Sequence, residues 1–197
     1  MLRGRIKEVH FICPFESAAS VLSDGIWCKI EQRKRYPRAT SIADPDVQDR
    51  RAAVRIPGGG RLHSYANLYF DARNSMMSAL RHLNDTIAVV RVSHAVIDLP
   101  DVIVSDRNAA ADDVIFRPAA KGIAALNRNE VYAEWWNMSR DAKQKRCAEV
   151  LVPRRVPPST SKALMSVRRR AKHNLPNFAQ LDSTSLSTRT DTSERGG

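Results

Sequence analysis

The chain has 197 residues, 43% of them hydrophobic, which is enough for one well-packed core with a tail left over. Its 32 Lys and Arg against 21 Asp and Glu give a net charge of +11, which favours a polyanionic partner, most often a nucleic acid. The 3 scattered cysteines form no CxxC pair, which argues against a disulfide framework or a metal site and indicates a reducing cytoplasm. A merely soluble basic protein stays open as the alternative.

The first predicted elements are a strand and a short helix. Mixed aromatic, β-branched and polar residues from 6 to 13 predict a strand that carries His10. Residues 16–22 have a helical pattern, and Gly25 suits the left-handed position that ends such a helix. Residues 29–40 are polar and basic without an apolar period, and we expect an exposed loop there.

A second helix begins at a clear signal. Asp44 can cap the first turn with its side chain, and Pro45 suits the first helical position. The pattern continues to about Val54, so the helix carries Arg50 and Arg51.

A glycine-rich loop and a strand follow this helix. Residues 57–60 read Pro-Gly-Gly-Gly, which ends the helix, and no Lys-Ser/Thr follows at the spacing of a phosphate-binding loop. Residues 62–70 then predict a strand with His63, Tyr65 and Tyr69 on one face, because side chains alternate along a strand.

The other predicted elements are short and do not alternate regularly. They are a helix over 75–83, strands over 86–92 and 102–104, a loop over 105–110, a helix over 119–136, a strand over 148–152 ended by Pro153, and a strand over 163–167. Six or so short strands with a few helices predict an α+β domain built on mostly antiparallel strands.

The end of the chain differs in composition from the rest. Residues 181–197 are rich in Ser and Thr and contain no aromatic residue, so we expect a folded domain over 1–170 and a disordered tail over 171–197. No apolar segment approaches the roughly 20 residues that span a bilayer, so we expect a soluble protein without membrane contact.

Glu149 is the most informative single residue. It lies at the start of the apolar strand over 148–152, shortly after Lys143, Lys145 and Arg146. A carboxylate that enters an apolar strand is unfavourable unless it is paired. It is therefore either in an ion pair with Arg146 or Lys145, or exposed at the end of the strand, or a catalytic carboxylate at the rim of a cleft that takes a phosphate-bearing ligand.

Four polar side chains on or beside predicted elements can share one cleft: His10, Tyr69, Glu149 and Arg51. Taken singly, a strand histidine is more often a hydrogen-bonded core residue, and a strand tyrosine is more often a packing residue. Their joint presence, with Arg51 on a helix that leads into a glycine loop, favours a common site.

Ordered segments of the chain resemble the DarT family of DNA ADP-ribosyltransferase toxins. They are IADPDVQDRR over 42–51, LHSY over 62–65, LYF over 68–70, DARNSM over 71–76, VSDRNAA over 104–110 and KRCAEVLVP over 145–153. The resemblance extends from His10 to about residue 167, which is nearly all of the predicted domain.

The resemblance implies a fold and an activity. The fold is an ADP-ribosyltransferase fold, with two small, mostly antiparallel sheets flanking an NAD cleft. The activity is the transfer of ADP-ribose from NAD to a base in single-stranded DNA, thymine in the leading interpretation, as the toxin of a toxin–antitoxin pair. A macrodomain-type antitoxin is implied as the partner, and we expect the protein to be a monomer. Guanine, an RNA or protein target, and a non-catalytic nucleic-acid-binding protein of the same fold are the alternatives.

The resemblance also implies residue roles. By position, Glu149 matches the catalytic glutamate, Arg51 the arginine that activates the base and contacts NAD, and His10 and Tyr69 the NAD pocket. The chain has Ile12 and Cys13 where many members have Thr-His, so a hydroxyl donor of that pocket is missing.

The basic residues supply a predicted DNA surface. The stretch over 29–38 and a set of scattered cations could follow a phosphate backbone, with affinity that falls as salt rises. These cations are Arg50, Lys143, Lys145, Arg146, Arg154 and Arg155. The run of arginines over 168–170 is interpreted as a solvated segment before the tail.

Overall fold

A computed structural model describes residues 1–136 and 139–166, and of residues 161–166 it describes the backbone alone. The arginines over 168–170 and the predicted tail over 171–197 lie outside the described residues. Across the described ranges, no helix is long and apolar enough to cross a membrane. Cys13, Cys28 and Cys147 are all buried free thiols.

The described part of the chain forms nine strands and seven α-helices. The strands are β1 (Glu8–Pro14), β2 (Ile26–Trp27), β3 (Tyr65–Tyr69), β4 (Ile87–Ser93), β5 (Ile103–Ser105), β6 (Phe116–Pro118), β7 (Glu149–Pro153), β8 (Arg155–Val156) and β9 (Ser161–Ser166). The helices are α1 (Ala18–Asp24), α2 (Lys29–Arg35), α3 (Pro45–Ala53), α4 (Ser75–Ala79), α5 (Ala119–Ala125), α6 (Arg128–Val131) and α7 (Arg140–Lys145).

Seven strands form one sheet in the order β6-β5-β7-β3-β1-β4-β9, and β2 pairs with β8 separately. Every pairing is antiparallel. The central strands β1 and β3 share one residue pair, His10 with Tyr69, so the sheet divides there into a four-stranded and a three-stranded half. The predicted α+β class is confirmed, and the two small sheets of the expectation are these two halves.

The strands alternate between two faces of the sheet. On one face lies the main core, to which β1 contributes Val9 and Cys13 and β3 contributes Ala66 and Leu68. The opposite face carries smaller buried clusters, and its members come from the intervening strand positions, such as Ile12 and Tyr69. The face opposite the main core is the face on which the site lies.

Two local signals in the sequence produce the structures they predict. The side chain of Asp44 accepts a hydrogen bond of 3.1 Å from the backbone N–H of Val47, and Pro45 opens α3. Gly25 follows α1 with a φ of +80°, and a Cβ atom there would lie 2.2 Å from the carbonyl oxygen of Val156.

Four predicted elements differ from the observed ones. The helix expected over 75–83 ends at Ala79, and a 3-10 helix over Arg81–Thr86 follows it. The loop expected over 29–40 is wrong, because residues Lys29–Arg35 form α2; Lys, Arg, Gln and Glu are good helix formers even without an apolar stripe. The helix expected over 119–136 ends at Ala125, and Asn127 then caps the separate helix α6. The strand expected from residue 62 begins at Tyr65, after a 3-10 turn over Leu62–Ser64.

The short strand β6 was not predicted from the sequence. Its residues Phe116–Pro118 pair with β5 at the edge of the sheet. The segment contains an Arg between an aromatic residue and a proline, which is too short and too mixed to give a strand pattern.

Candidate active site

Three of the predicted site residues lie in one row across the sheet. His10 on β1 stands opposite Tyr69 on β3, and Tyr69 stands opposite Glu149 on β7. The row continues to Ser105 on β5. Residues directly opposite each other on antiparallel strands point to the same face, so one face of the sheet carries all of these side chains.

Glu149 lies fully inside the protein, with 0% of its surface exposed. Its Oε1 accepts hydrogen bonds from Arg51 Nη1 at 2.8 Å and from the backbone N–H of Ala109 at 3.0 Å. Its Oε2 accepts a hydrogen bond from Arg51 Nη2 at 2.9 Å. The carboxylate is therefore held by three N–H groups in a fixed orientation.

Arg51 is the partner that the buried carboxylate requires. It comes from the last turns of α3 and is 7% exposed. Burial lowers the pKa of the guanidinium, but the charge and hydrogen bonds of Glu149 outweigh this and raise the pKa above its ordinary value. Neither ion-pair partner suggested by the sequence, Arg146 or Lys145, contacts Glu149, and exposure at the strand end is wrong as well.

Two further residues position Glu149, and sequence reasoning did not single them out. The hydroxyl of Ser105 accepts a hydrogen bond of 3.1 Å from the backbone N–H of Glu149 and donates one of 2.7 Å to the carbonyl of Arg107. Ala109, in the loop that follows, supplies the N–H that bonds Oε1. Both residues lie in the segment over 104–110, one of the motifs that carry the family resemblance. That motif is the feature of the sequence from which their role could have been predicted.

A cleft opens where the two halves of the sheet separate. Because β1 and β3 are antiparallel and meet only at His10 and Tyr69, the residues after His10 face those before Tyr69 across a gap. The cleft has a volume of about 770 Å³, and Ile12, Tyr69 and Arg51 contribute to its walls. Ligand pockets in proteins have volumes of roughly 300–1,000 Å³. The cleft falls within that range and is large enough for a dinucleotide.

Tyr69 stands at the junction of the sheet halves. Its hydroxyl lies 3.3 Å from the sulfur of Met76. Burial raises the pKa of the phenol well above its ordinary value, and the charge of Glu149 adds to the effect. Tyr69 therefore remains protonated and presents a neutral ring to the cleft.

His10 is placed differently from Tyr69 and Arg51. Its Nε2 lies 3.2 Å from Oε1 of Glu8, and Glu8 in turn accepts a hydrogen bond of 2.7 Å from Arg91. Among the described residues that line the cleft, neither His10 nor Glu149 appears. Glu149 lies behind Arg51, and the side chain of His10, at the junction, contacts Glu8, which is paired with Arg91.

The wall of the cleft contains a hydroxyl that the sequence did not suggest. Ile12 contributes a buried apolar side chain to the wall of the cleft. Ser75 also lines the cleft, and its Oγ lies 2.8 Å from Sγ of Cys147. Ser75 therefore adds a polar atom to the wall of the cleft.

The predicted DNA-binding cations fall into two groups. Lys145 pairs with Glu130 at 2.7 Å and with Asp141 at 3.0 Å. Arg146 is 2% exposed, and it pairs with Asp71 at 2.8 Å and donates to the carbonyl of Val131. These contacts fix both side chains within the fold.

The other cations of that prediction lie at the surface. Arg50, Lys143 and Arg154 are exposed. Arg155 is half-buried and stacks on the ring of Trp27, with its guanidinium carbon 4.4 Å from the ring centre. Exposed cations, unlike the buried Arg146, are free to meet a phosphate backbone.

A family model described as "ssDNA thymidine ADP-ribosyltransferase, DarT" matches residues 10–186. A DNA ADP-ribosyl transferase–DNA ADP-ribosyl glycohydrolase fusion protein of Thermosipho africanus is 26% identical over 162 residues, which is 78% of this chain and 41% of the relative. A DNA ADP-ribosyl transferase of Thermus aquaticus is 31% identical over 132 residues, which is 60% of this chain and 57% of the relative. The chain thus spans about half the length of these curated relatives.

Solved structures share the fold. Thermosipho africanus DarTG in complex with ADP-ribose has a TM-score of 0.72 at 24% identity, over 80% of this chain and 43% of the other. Thermus sp. 2.9 DarT in complex with ADP-ribosylated ssDNA has a TM-score of 0.68 at 21% identity, over 81% of this chain and 80% of the other. The same Thermus protein in complex with NAD+ has a TM-score of 0.64 at 19% identity, over 81% of each chain.

Proposed function

The chain belongs to the DarT family, and from this premise we propose that it transfers ADP-ribose from NAD to a base in single-stranded DNA. The observation that carries the proposal is the Arg51–Glu149 pair, which is buried beside a cleft large enough for a dinucleotide. A buried ion pair is seldom needed for stability alone, and ionisable groups held beside a cleft are typical of catalytic sites.

The residues of the cleft fit NAD. Tyr69 offers a neutral ring for stacking on nicotinamide, Ser75 offers a hydroxyl, and Arg51 offers a cation for the phosphates or the base. His10, held by Glu8 beside the junction, remains the proposed contact for a ribose hydroxyl or the nicotinamide amide. Ile12 adds apolar surface only. When bound, NAD supplies the ADP-ribosyl group and nicotinamide as the leaving group.

Glu149 provides a negative charge that is fixed in advance behind Arg51, outside the cleft lining, so it acts on the ribose by its charge and not by contact. Loss of nicotinamide leaves positive charge on the ribose, and a carboxylate that is already oriented stabilises this charge without reorganisation. Arg51 and the N–H of Ala109 hold that carboxylate in place. Removal of one preorganised charge at an active site lowers turnover by about 10²–10³-fold.

Arg51 activates the acceptor base by its charge. Its pKa lies above the ordinary arginine value, so the guanidinium stays protonated and cannot accept a proton. It can, however, stabilise the negative charge that develops on a base as the base loses its proton. This assigns electrostatic activation, rather than proton abstraction, to Arg51.

The proposed DNA surface is narrower than the sequence suggested. Lys145 and Arg146 are engaged in ion pairs within the fold, so we assign phosphate contacts to Arg50, Lys143 and Arg154. Such contacts make affinity fall with rising salt. A base inside a duplex hides its reactive edge, which favours a single strand as the substrate.

The relatives also suggest a partner. In the Thermosipho africanus relative, the name of the protein joins a transferase to a DNA ADP-ribosyl glycohydrolase. We propose that the present chain is likewise the toxin of a toxin–antitoxin pair, and that a macrodomain-type antitoxin removes the modification. The proposal includes a monomeric enzyme that acts in the cytoplasm.

Intact-mass analysis of short single-stranded oligonucleotides tests the proposal. Each oligonucleotide has a restricted base content and is incubated with NAD and the native protein, Glu149→Ala, or the control Glu134→Ala, which changes an exposed glutamate. We expect one ADP-ribose on thymine-containing oligonucleotides with the native and control proteins, and none with Glu149→Ala. An adduct on guanine alone would correct the base, and no adduct together with no NAD binding would overturn the proposal.

A further inference from the structure

His63 is a cleft residue to which the proposed mechanism gives no role. It belongs to the 3-10 turn Leu62–Ser64, which packs against both α2 and α3. Its side chain is half-buried and lines the same cleft as Arg51. Its Nε2 is shielded from solvent and has no hydrogen-bond partner among the described residues. A buried polar atom without a partner is uncommon in native proteins and needs an explanation, of which a catalytic role is one.

The surroundings of His63 keep its ring neutral. Burial lowers the pKa of the imidazole, and the charges of Arg51 on α3 and of Arg33 and Lys29 on α2 lower it further. These cations lie on the two helices that pack against the turn of His63. A neutral imidazole has one nitrogen with a free lone pair, so it can accept a proton at neutral pH.

The transfer reaction needs such an acceptor. The ring imide of thymine and the exocyclic amine of guanine both carry a proton on nitrogen, which must leave when the nitrogen bonds to ribose. Arg51 is already protonated, and both oxygens of Glu149 are occupied by Arg51. Two carboxylates line the cleft in the described part of the chain, and both are exposed: Asp44 caps α3, and Glu16 lies in the 3-10 turn after β1.

Building on the proposed function, we propose that His63 is a catalytic residue that takes the proton from the acceptor base. The bond between the nicotinamide nitrogen and C1′ of the ribose breaks, and its electron pair leaves with nicotinamide. The base nitrogen forms the new bond to C1′, and the proton of that nitrogen passes to the imidazole of His63. Arg51 stabilises the charge on the base during this step, and His63 then returns the proton to water.

The test compares His63→Gln with the native protein and with His82→Gln, which changes an exposed histidine that does not line the cleft. The rate of adduct formation on a thymine oligonucleotide is measured from pH 5 to 9, and NAD binding is measured by thermal stabilisation. A third variant, His63→Ala, is assayed with and without added imidazole, because imidazole can replace a missing proton acceptor.

We expect His63→Gln to bind NAD as the native protein does and to form the adduct at least about 10²-fold more slowly. The native rate should fall on the acid side below the ordinary histidine value of about 6.5, and His63→Gln should lack this fall. Imidazole should restore part of the rate to His63→Ala. His82→Gln should match the native protein.

Contrary results separate the two proposals. Adduct formation by His63→Gln at the native rate and with the native pH profile would overturn the role of His63 alone. NAD binding lost in His63→Gln, without rescue of His63→Ala by imidazole, would also overturn it, since His63 would then be a structural or NAD-binding residue. No adduct with the native protein would overturn the proposed function and this inference with it.

Discussion

Arg51 and Glu149 are 98 residues apart in the chain, yet they form two parallel hydrogen bonds of 2.8 and 2.9 Å inside the protein. A paired arrangement of this kind satisfies both charged groups at once. Each residue therefore needs the other to remain buried. The candidate active site and the stability of the fold both depend on this ion pair.

Replacing Arg51 should consequently unfold the protein more easily. Arg51→Leu leaves the carboxylate of Glu149 buried without its cation, which costs about 3–5 kcal/mol of the free energy of unfolding. The neighbouring variant Arg50→Ala changes an exposed cation and should alter that free energy by no more than about 0.5 kcal/mol. Urea unfolding of the two variants measures both values. Equal stability of Arg51→Leu and the native protein would contradict the buried pair.

Ser105→Ala should affect the site through the backbone of Glu149. The variant removes the acceptor of the Glu149 N–H, which lies in the buried centre of the sheet. A buried donor without a partner costs about 1–3 kcal/mol, and a looser Glu149 should slow ADP-ribose transfer. Ser78→Ala, at an exposed helix position, is the matched control. Unfolding in urea and adduct formation are both measured, and an unaltered Ser105→Ala protein would exclude this positioning role.

The sequence predicted local features well because they depend on neighbouring residues. Asp44 and Pro45 indicate the start of α3 by themselves, and the apolar run before Pro153 indicates β7. The partner of Glu149 was predicted wrongly, because the choice was made among cations close in sequence. Arg146 instead turns toward Asp71, while Arg51 reaches Glu149 only through the packing of α3 beside the sheet.

The cleft could be predicted in kind but not in detail. The family resemblance implied an NAD pocket with Tyr69 and Arg51, and both line the cleft. The cleft exists because β1 and β3 share only one residue pair. The alternation of residues along a strand does not reveal how many residues it will pair with its neighbour. The approach of Ser75 to Cys147, 72 residues apart in the chain, is equally non-local.

Gly25 should be among the least replaceable glycines. A Cβ atom at this position would lie 2.2 Å from the carbonyl oxygen of Val156, and the φ of +80° disfavours any other residue. Gly58 also has a positive φ, +70°, but a Cβ atom there meets no atom within 4 Å. Gly25→Ala should therefore be clearly more destabilising than Gly58→Ala, by more than about 1 kcal/mol in urea unfolding. Similar losses for the two variants would show that the contact with Val156 relaxes easily.

Arg146 and Lys143 should separate stability from DNA binding. Arg146→Ala removes a buried cation together with its hydrogen bonds to Asp71 and to the carbonyl of Val131, so the free energy of unfolding should fall by about 1–3 kcal/mol. Lys143→Ala changes an exposed cation and should leave stability within about 0.5 kcal/mol. Lys143→Ala should instead weaken the binding of single-stranded DNA and reduce the slope of log affinity against log salt concentration by roughly 0.7. A salt slope unchanged in Lys143→Ala would remove this residue from the proposed DNA surface.

The stability of the protein should depend on pH through His63. Burial and the nearby cations lower the pKa of His63 in the folded state, whereas the unfolded chain has the ordinary value of about 6.5. As pH falls through that value, the unfolded state takes up a proton that the folded state does not yet bind, so acid favours unfolding. Between pH 7.5 and 5.5 the native protein should therefore lose more stability than His63→Gln, which has no imidazole to protonate. Urea unfolding at several pH values measures the difference, and parallel losses in the two proteins would mean that the ring of His63 is not kept neutral by its surroundings.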